Sequence, residues 1–255
     1  MVTGMSWGAS SGPLTAGERY EFDLRGYLVR SGALSAEMVR LLRLAVVDLG
    51  HQRAGDTIQS QRFTGHLAQH EVFRDLIDHP AVLEPLLELC GPKVRLDHTY
   101  GITMRPGSAG LGLHGGGTPH DPAQFYRIEN GRMFNGLVAV QWALVDHRPG
   151  DGGFGCIPGS HKAQFNVPPQ PDPSLVFEVP LAAGDVVIFT EALTHCTIPW
   201  RGAIDRLTLV YKYAPGHMAW GPDYEGFDAL LPLLTDRQRR LIQHPAVYTH
   251  QPVQR

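Results

Sequence analysis

Residues 182–213 read AAGDVVIFTEALTHCTIPWRGAIDRLTLVYKY. Two runs at its ends, DVVIFT (185–190) and LTLVYKYA (207–214), are short, rich in β-branched or aromatic residues, and set off by turn-forming residues, so both read as strands. His195 follows the first run and its turn, and Arg206 stands at the start of the second. VRLDHTYGITM (94–104), GLVAVQWALVDH (136–147), GGFGCIPGSH (152–161) and LVFEVPL (175–181) share the same texture. Six such segments without long intervening helices argue against a doubly wound parallel sheet. They predict a mainly β fold, an antiparallel sandwich or barrel backed by N-terminal helices.

Upstream the period changes. SAEMVRLLRLAVVDLG places Met38, Leu41, Leu42, Ala45, Val46 and Leu49 at three- and four-residue intervals, which predicts an amphipathic helix over 35–49. Thr15 and Glu18 have capping-box spacing, and EFDLRGYLVRSGALS holds a short helix and a short strand. Residues 67–78 and 80–90 read as two more helices, the second opened by Pro80 and stopped by Gly91-Pro92. His66, His70 and His79 read as surface or capping residues. After a Gly, Pro and Asp-rich loop over 217–234, DRQRRLIQHP reads as a last helix with Arg239 and Arg240 facing solvent. The expectation is one domain over 1–255: a helical layer over about 15–92, a β core over about 93–215, and a C-terminal loop and helix over 216–255.

Composition narrows the function classes. Lys plus Arg number 22 against 25 Asp plus Glu, so no basic surplus marks a nucleic-acid polymer as partner. Cys90, Cys156 and Cys196 lack metal-knuckle spacing, and their scarcity suits a reducing compartment. No apolar run reaches membrane-spanning length and the first residues lack signal-peptide order, so the expectation is a soluble cytoplasmic protein without a membrane partner.

The candidate chemistry lies in two histidines. His114, in LGLHGGGTPHD (111–121), follows a small-residue segment after the 94–104 strand, and His195 follows the 185–190 strand. Cup-shaped β folds often hold a metal at the mouth, and imidazole suits iron, zinc or copper. Taken singly, each histidine also reads as a satisfied polar residue.

GDGGFGCIPGSHK (150–162) together with residues 182–213 resembles the phytanoyl-CoA dioxygenase family of iron(II)- and 2-oxoglutarate-dependent oxygenases. The likeness covers roughly residues 20–215. It implies a double-stranded β-helix (jelly roll, cupin-like) that uses Fe(II), 2-oxoglutarate and molecular oxygen. It also implies His114 and His195 as metal ligands, Arg206 on the far carboxylate of 2-oxoglutarate, and Thr197 sharing that carboxylate. A guanidinium fork matches a carboxylate bidentately; read without the resemblance, Arg206 after Asp205 is a surface ion-pair residue.

The family normally has His-x-Asp at the first histidine, whereas this chain has Gly116 in the third position. In this it resembles the His-x-Gly halogenases, including those acting on free nucleotides. Glycine offers no donor oxygen and no side-chain volume, so Gly116 would leave a coordination position open for chloride. The resemblance then implies chlorination of an aliphatic carbon. Two other ligands stay open: Asp121, returned by a bent loop, which would make a hydroxylase, and His161 of PGSH. Gly115–Gly117 as a plain tight turn in a non-catalytic binding module is the third alternative.

Strand alternation puts Gln141 and Trp142 on opposite faces. Gln141 is taken inward toward 2-oxoglutarate, and Trp142 outward over helix 35–49; Tyr100 and Met104 are expected to line the cup. HDPAQFYRIENGRMFNG (120–136) reads as a substrate lid. Within it Tyr126 and Phe134 offer ring surface, Arg127 and Arg132 offer charge for an anion, and Asn135 offers hydrogen bonds. A small-molecule substrate is expected, with a phosphorylated metabolite or nucleotide suited to that pairing. An acyl group on a separate carrier protein fits as well. The plain alternative is an outer loop with Arg127 paired to Glu129.

Overall fold

The computed structural model describes residues 12–49, 59–116, 122–168, 170–221, 227–247 and 249–253. In chain order the N-terminal half runs α1 (Ala16–Arg25), β1 (Tyr27–Arg30), α2 (Ala36–Asp48), β2 (Ser60–Phe63), α3 (His66–Gln69), α4 (Glu71–Arg74) and α5 (Pro80–Leu89). The β-rich half follows as β3 (Arg95–Met104), β4 (Leu111–His114), β5 (Tyr126–Glu129), β6 (Arg132–Asn135), β7 (Val138–Ala143), β8 (Gly153–Cys156), β9 (Phe177–Glu178), β10 (Val186–Thr190), β11 (His195–Ile198) and β12 (Arg206–Ala214). Two short helices, α6 (Phe227–Leu230) and α7 (Asp236–Leu241), come last.

The helices start where their caps dictate. Thr15 Oγ1 accepts from Glu18 N–H at 3.1 Å while Glu18 Oε2 accepts from Thr15 N–H at 2.8 Å, a capping box that opens α1. Glu18 also holds buried Arg30 of β1 at 2.8 Å, and Arg30 donates to the Ala81 carbonyl of α5, so one ion pair ties three elements. Ser35 caps α2, whose Val39, Leu42, Ala45 and Val46 are buried. The helix expected over 67–78 is interrupted at His70, whose backbone is extended and whose ring reaches Asp48 of α2 at 3.0 Å. His79 caps α5, in line with expectation. His66 is not at the surface: it is fully buried among the rings of Phe63, Phe73 and Tyr211.

Among the described residues a six-stranded sheet has the order β1-β10-β7-β12-β3-β2, and a four-stranded sheet the order β4-β11-β8-β9. Every pairing in both is antiparallel. The two sheets face each other as a double-stranded β-helix, and the helices cover the outside of the larger one.

β12 shows how sequence alternation builds this. Leu207, Leu209, Tyr211 and Tyr213 join the core beneath the helices, whereas Val210 joins the smaller cluster between the sheets with Tyr27, Ala139, Ala143, Phe154, Cys156, Val187, Phe189 and Leu193. By period two, Arg206, Thr208 and Lys212 share the inner face with Val210. β7 alternates the same way: Ala139 and Ala143 face the cup with Gln141 between them, and Trp142 packs outward with its ring 5.2 Å from that of His79. Among the described residues no helix is long and apolar enough to cross a membrane.

Residues 120–136 are not an open lid where they are described. Tyr126–Glu129 and Arg132–Asn135 pair as a hairpin whose turn, Asn130-Gly131, has φ of 51° and 71°. Asn-Gly tolerates this left-handed pair and matches the strand twist.

The helical layer is pinned to β12 by two phenols. Tyr211 Oη donates to the Phe73 carbonyl at 2.7 Å and Tyr213 Oη to the Ile77 carbonyl at 2.8 Å, both buried. We predict that Tyr211→Phe and Tyr213→Phe each lower unfolding free energy by about 1 kcal/mol, read from urea unfolding curves with unchanged m-values.

Candidate metal centre

β4 and β11 bring the two histidines together. His195 and His114 are direct cross-strand partners, and their ring centroids lie 4.2 Å apart. In each, Nδ1 faces the carbonyl two residues back along the chain: Gly112 O at 2.8 Å for His114 and Leu193 O, in the turn before β11, at 2.7 Å for His195. A carbonyl only accepts, so Nδ1 carries the proton in both rings and each Nε2 keeps its lone pair. Burial pushes His195 down to about 4, which keeps it neutral at ordinary pH. Two imidazoles whose rings are oriented through Nδ1, with Nε2 left to coordinate, are what a divalent metal needs. Among the described residues, no three His, Cys, Asp or Glu side chains form a ready-made cage.

Arg206 supplies the second half of the site. It is almost fully buried, its Nε has no hydrogen-bond partner among the described residues, and its Nη1 donates to the Met104 thioether at 3.2 Å. Burial draws its pKa down to about 10. A buried guanidinium is costly unless an anion meets it, so this orphaned donor fits the far carboxylate of 2-oxoglutarate. Gly153 makes the room: a Cβ there would lie 3.4 Å from Arg206 Nε and 3.1 Å from His147 Nδ1. Along β8, Gly153 beside Arg206 is three residues from Cys156, the cross-strand partner of His195. That separates the guanidinium end from the imidazole end by about 10 Å of strand. Thr197 shares the face of His195 and lies opposite Phe154, between those two ends.

Gln141 Nε2 and Thr208 Oγ1 are likewise buried without hydrogen bonds. Met104 and Tyr100 lie opposite Arg206 and Val210 in the β3–β12 register, so both line the cup as expected.

His161 is committed elsewhere. Its Nε2 faces the Asp23 carbonyl at 3.0 Å, its ring meets Tyr126 edge-on, and Nδ1 sits 2.6 Å from where a Gly26 Cβ would be. Its ring therefore seats PGSH against α1 rather than standing beside the imidazole pair. Neighbouring Ser160 Oγ accepts from Thr194 N–H at 2.8 Å and braces the turn before His195. Asp121 lies outside the described residues.

The expected substrate residues divide. Tyr126 Oη donates to Asp23 at 2.5 Å and buried Asn135 donates to the Leu89 carbonyl at 3.1 Å, so both anchor the hairpin to helices. Arg127 is exposed, 3.7 Å from Glu129 and over the Phe134 ring at 5.2 Å; Arg132 also approaches Phe134. The outer-loop alternative for Arg127 describes its pairing.

Three residues were not singled out from sequence. His147, whose ring nitrogens are both buried without partners, packs on Trp200 beside Arg206. Glu191 and Lys212 form a buried ion pair at 2.9 Å, with Glu191 Oε1 4.0 Å from His195 Nε2. Period two from Arg206 reaches Lys212, and Glu191 stands four residues before His195; those spacings were the available signals.

Comparison with known proteins agrees with this geometry. The phytanoyl-CoA dioxygenase (PhyH) family matches residues 22–208. HygX from Streptomyces hygroscopicus, solved with nickel and 2-oxoglutarate bound, is similar at 26% identity over 85% of this chain and 94% of its own, with a TM-score of 0.74. SnoK, a non-heme alpha-ketoglutarate-dependent carbocyclase from nogalamycin biosynthesis, aligns at 18% identity over 96% of this chain and 99% of its own, TM-score 0.67. SnoN, an epimerase of the same biosynthesis, aligns at 20% over 82% and 85%, TM-score 0.62. At those identities the last two speak to the fold alone. No curated protein matches by sequence.

Two outcomes follow. Arg206→Met should leave the ligand-free protein more stable, by about 1 kcal/mol or more, in thermal or urea unfolding. The second concerns His147, which burial and nearby Arg206 push down to about 3 from 6.5. Between those values the unfolded chain binds a proton that the folded chain refuses, so stability falls as pH drops through that window, by at most about 1.4 kcal/mol per unit. Urea unfolding at pH 7 and pH 5 should give a smaller loss for His147→Phe than for wild type.

Proposed function

This chain belongs to the phytanoyl-CoA dioxygenase family of iron- and 2-oxoglutarate-dependent enzymes, and from that premise we propose that His114 and His195 hold Fe(II) while Arg206 anchors 2-oxoglutarate, for oxygen-dependent oxidation of an unactivated carbon in a small molecule. The observation that carries this reading is the cross-strand pairing of the two imidazoles, each with Nδ1 on a backbone carbonyl so that Nε2 is the nitrogen left for a metal. Held by His114 and His195, iron(II) would supply the chemistry that couples O2 reduction and the conversion of 2-oxoglutarate to succinate and carbon dioxide to oxidation of a substrate C–H bond.

The remaining steps belong to the chain. Arg206 offers its unpaired Nε to the far carboxylate, and Thr197 lies on the path between that carboxylate and His195. Gln141 and Thr208 offer buried polar atoms that still need partners. Phe154, Phe189, Val187 and Leu193 wall the cup and exclude water from it. Nδ1 bonding fixes both rings before any metal arrives, so little ordering is left for the binding step.

Two products compete within this class, hydroxylated and chlorinated. Chlorination is favoured by one feature, the lack of a donor at Gly116, which would leave a place for chloride. Hydroxylation needs an oxygen ligand from elsewhere in the chain. For the substrate we propose a small molecule that approaches past the hairpin. Leu137, just after the hairpin, accepts from Glu191 N–H at 2.9 Å, which sets the hairpin base beside the site. Exposed Arg127 and Arg132 over Phe134 suit a phosphorylated or nucleotide substrate.

The test needs no substrate. Wild-type protein given Fe(II) and 2-oxoglutarate without oxygen should develop the visible charge-transfer band of the chelated keto acid. His195→Ala should lose it, and Arg206→Met should need at least about tenfold more 2-oxoglutarate. Chloride added to the wild-type complex separates the products: a shifted band supports chlorination, and an unchanged band supports hydroxylation. No band under any condition defeats the proposal.

A further inference from the structure

We infer that Glu191, just after β10, supplies the carboxylate oxygen that position 116 lacks. The inference rests on the reading of His114 and His195 as iron ligands.

Position 116 is not merely an aspartate shortened to glycine. Gly116 has φ of 96°, a conformation that L side chains rarely adopt, and a Cβ built there would lie 2.9 Å from Thr194 Oγ1. A Cβ on Gly115 would lie 2.8 Å from the Leu193 carbonyl, 2.9 Å from the Glu191 carbonyl and 2.9 Å from His195 Nδ1. Both glycines are therefore needed for the 191–195 turn to lie against the chain after His114. Gly116 N–H donates to the Glu191 carbonyl at 3.1 Å and closes that contact.

What the turn brings with it is a carboxylate. Glu191 is 2% exposed, and its Oε1 is 4.0 Å from His195 Nε2. Neighbouring ligands on a metal with bonds near 2.1 Å stand about 3 Å apart, so closure asks for roughly an ångström of movement from a side chain with three rotatable bonds. Oε1 pairs with Lys212 Nζ at 2.9 Å and takes no hydrogen bond from any other group among the described residues. A carboxylate this buried needs a counter-charge, and the Lys212 ammonium at 2.9 Å supplies one. Glutamate has one methylene more than aspartate, which suits delivery from the neighbouring turn.

The alternative is that Glu191 serves only to neutralise Lys212. Cobalt(II), whose visible absorption reports its ligands, separates the two in the full-length protein. Glu191→Gln should weaken cobalt binding about 10- to 100-fold and change its spectrum, while Lys212→Met keeps cobalt affinity within a few-fold of wild type. Glu191→Ala should make the cobalt spectrum respond to chloride, to which wild type stays indifferent. Near-ultraviolet circular dichroism establishes that each variant is folded, and the Gln and Ala forms stand in for each other if one is not.

Wild-type affinity and spectrum in Glu191→Gln, with His195→Ala unable to bind, would overturn the role of Glu191 and leave the histidine pair intact. Equal losses in Glu191→Gln and Lys212→Met would overturn it as well, in favour of the ion pair alone. Cobalt bound equally by wild type and His195→Ala would defeat the histidine reading, and this inference with it.

Discussion

Everything in this site depends on how β12 disposes of its charge. The strand runs through the middle of the larger sheet, buried on both sides, yet its inner face carries Arg206 and Lys212. A β interior tolerates a cation only beside an anion. Lys212 has one in Glu191; Arg206 has a thioether and an unpaired Nε. Of these two cations near opposite ends of one strand, Lys212 mostly and Arg206 almost fully buried, the chain neutralises the first. Under the proposed function Arg206 would take the far carboxylate of 2-oxoglutarate and the imidazole pair on the smaller sheet would hold the metal.

The fold was legible because period and punctuation agree. The helix at Ala36–Asp48 and the strands at Arg95–Met104, Val186–Thr190 and Arg206–Ala214 fall within a residue or two of where their patterns place them. Alternation put Gln141 and Trp142 on the correct faces. The failures have physical causes. β4 and β11 are four residues each, too short and too rich in Gly, His and Thr for hydrophobic pattern to reveal. Asn130-Gly131 between Tyr126–Glu129 and Arg132–Asn135 carried a hairpin signal, but the polar composition around it read as loop.

The site was legible in part for a different reason. His114 and His195 stood out by their place at strand ends, Arg206 and Thr197 came from a family resemblance, and the strands bring both histidines into direct register. Residues whose importance lies in missing partners left no mark in sequence: the bare nitrogens of His147 or the unpaired Nε of Arg206 exist only once neighbours are in place. Tyr126 and Asn135 failed in the opposite sense. Both looked like substrate contacts because they are polar, yet Asp23 and the Leu89 carbonyl already take their donors.

The glycines after His114 carry the deeper lesson. Read along the chain, glycine in place of an acid is a subtraction, and the inference that follows is a vacancy. Read in three dimensions, the same glycines admit the turn that carries Glu191, since side chains there would strike carbonyls 191 and 193, the His195 ring or the Thr194 hydroxyl. A metal responds to donor atoms and distances and is indifferent to which strand delivers them. Under the inference above, a carboxylate missing at one sequence position and supplied by a buried one beside His195 would move the chemistry from chlorination toward hydroxylation. The choice between chlorinating and hydroxylating then turns on whether a glutamate carboxylate held by Lys212 can come about an ångström closer to His195 Nε2, which sequence spacing alone does not reveal.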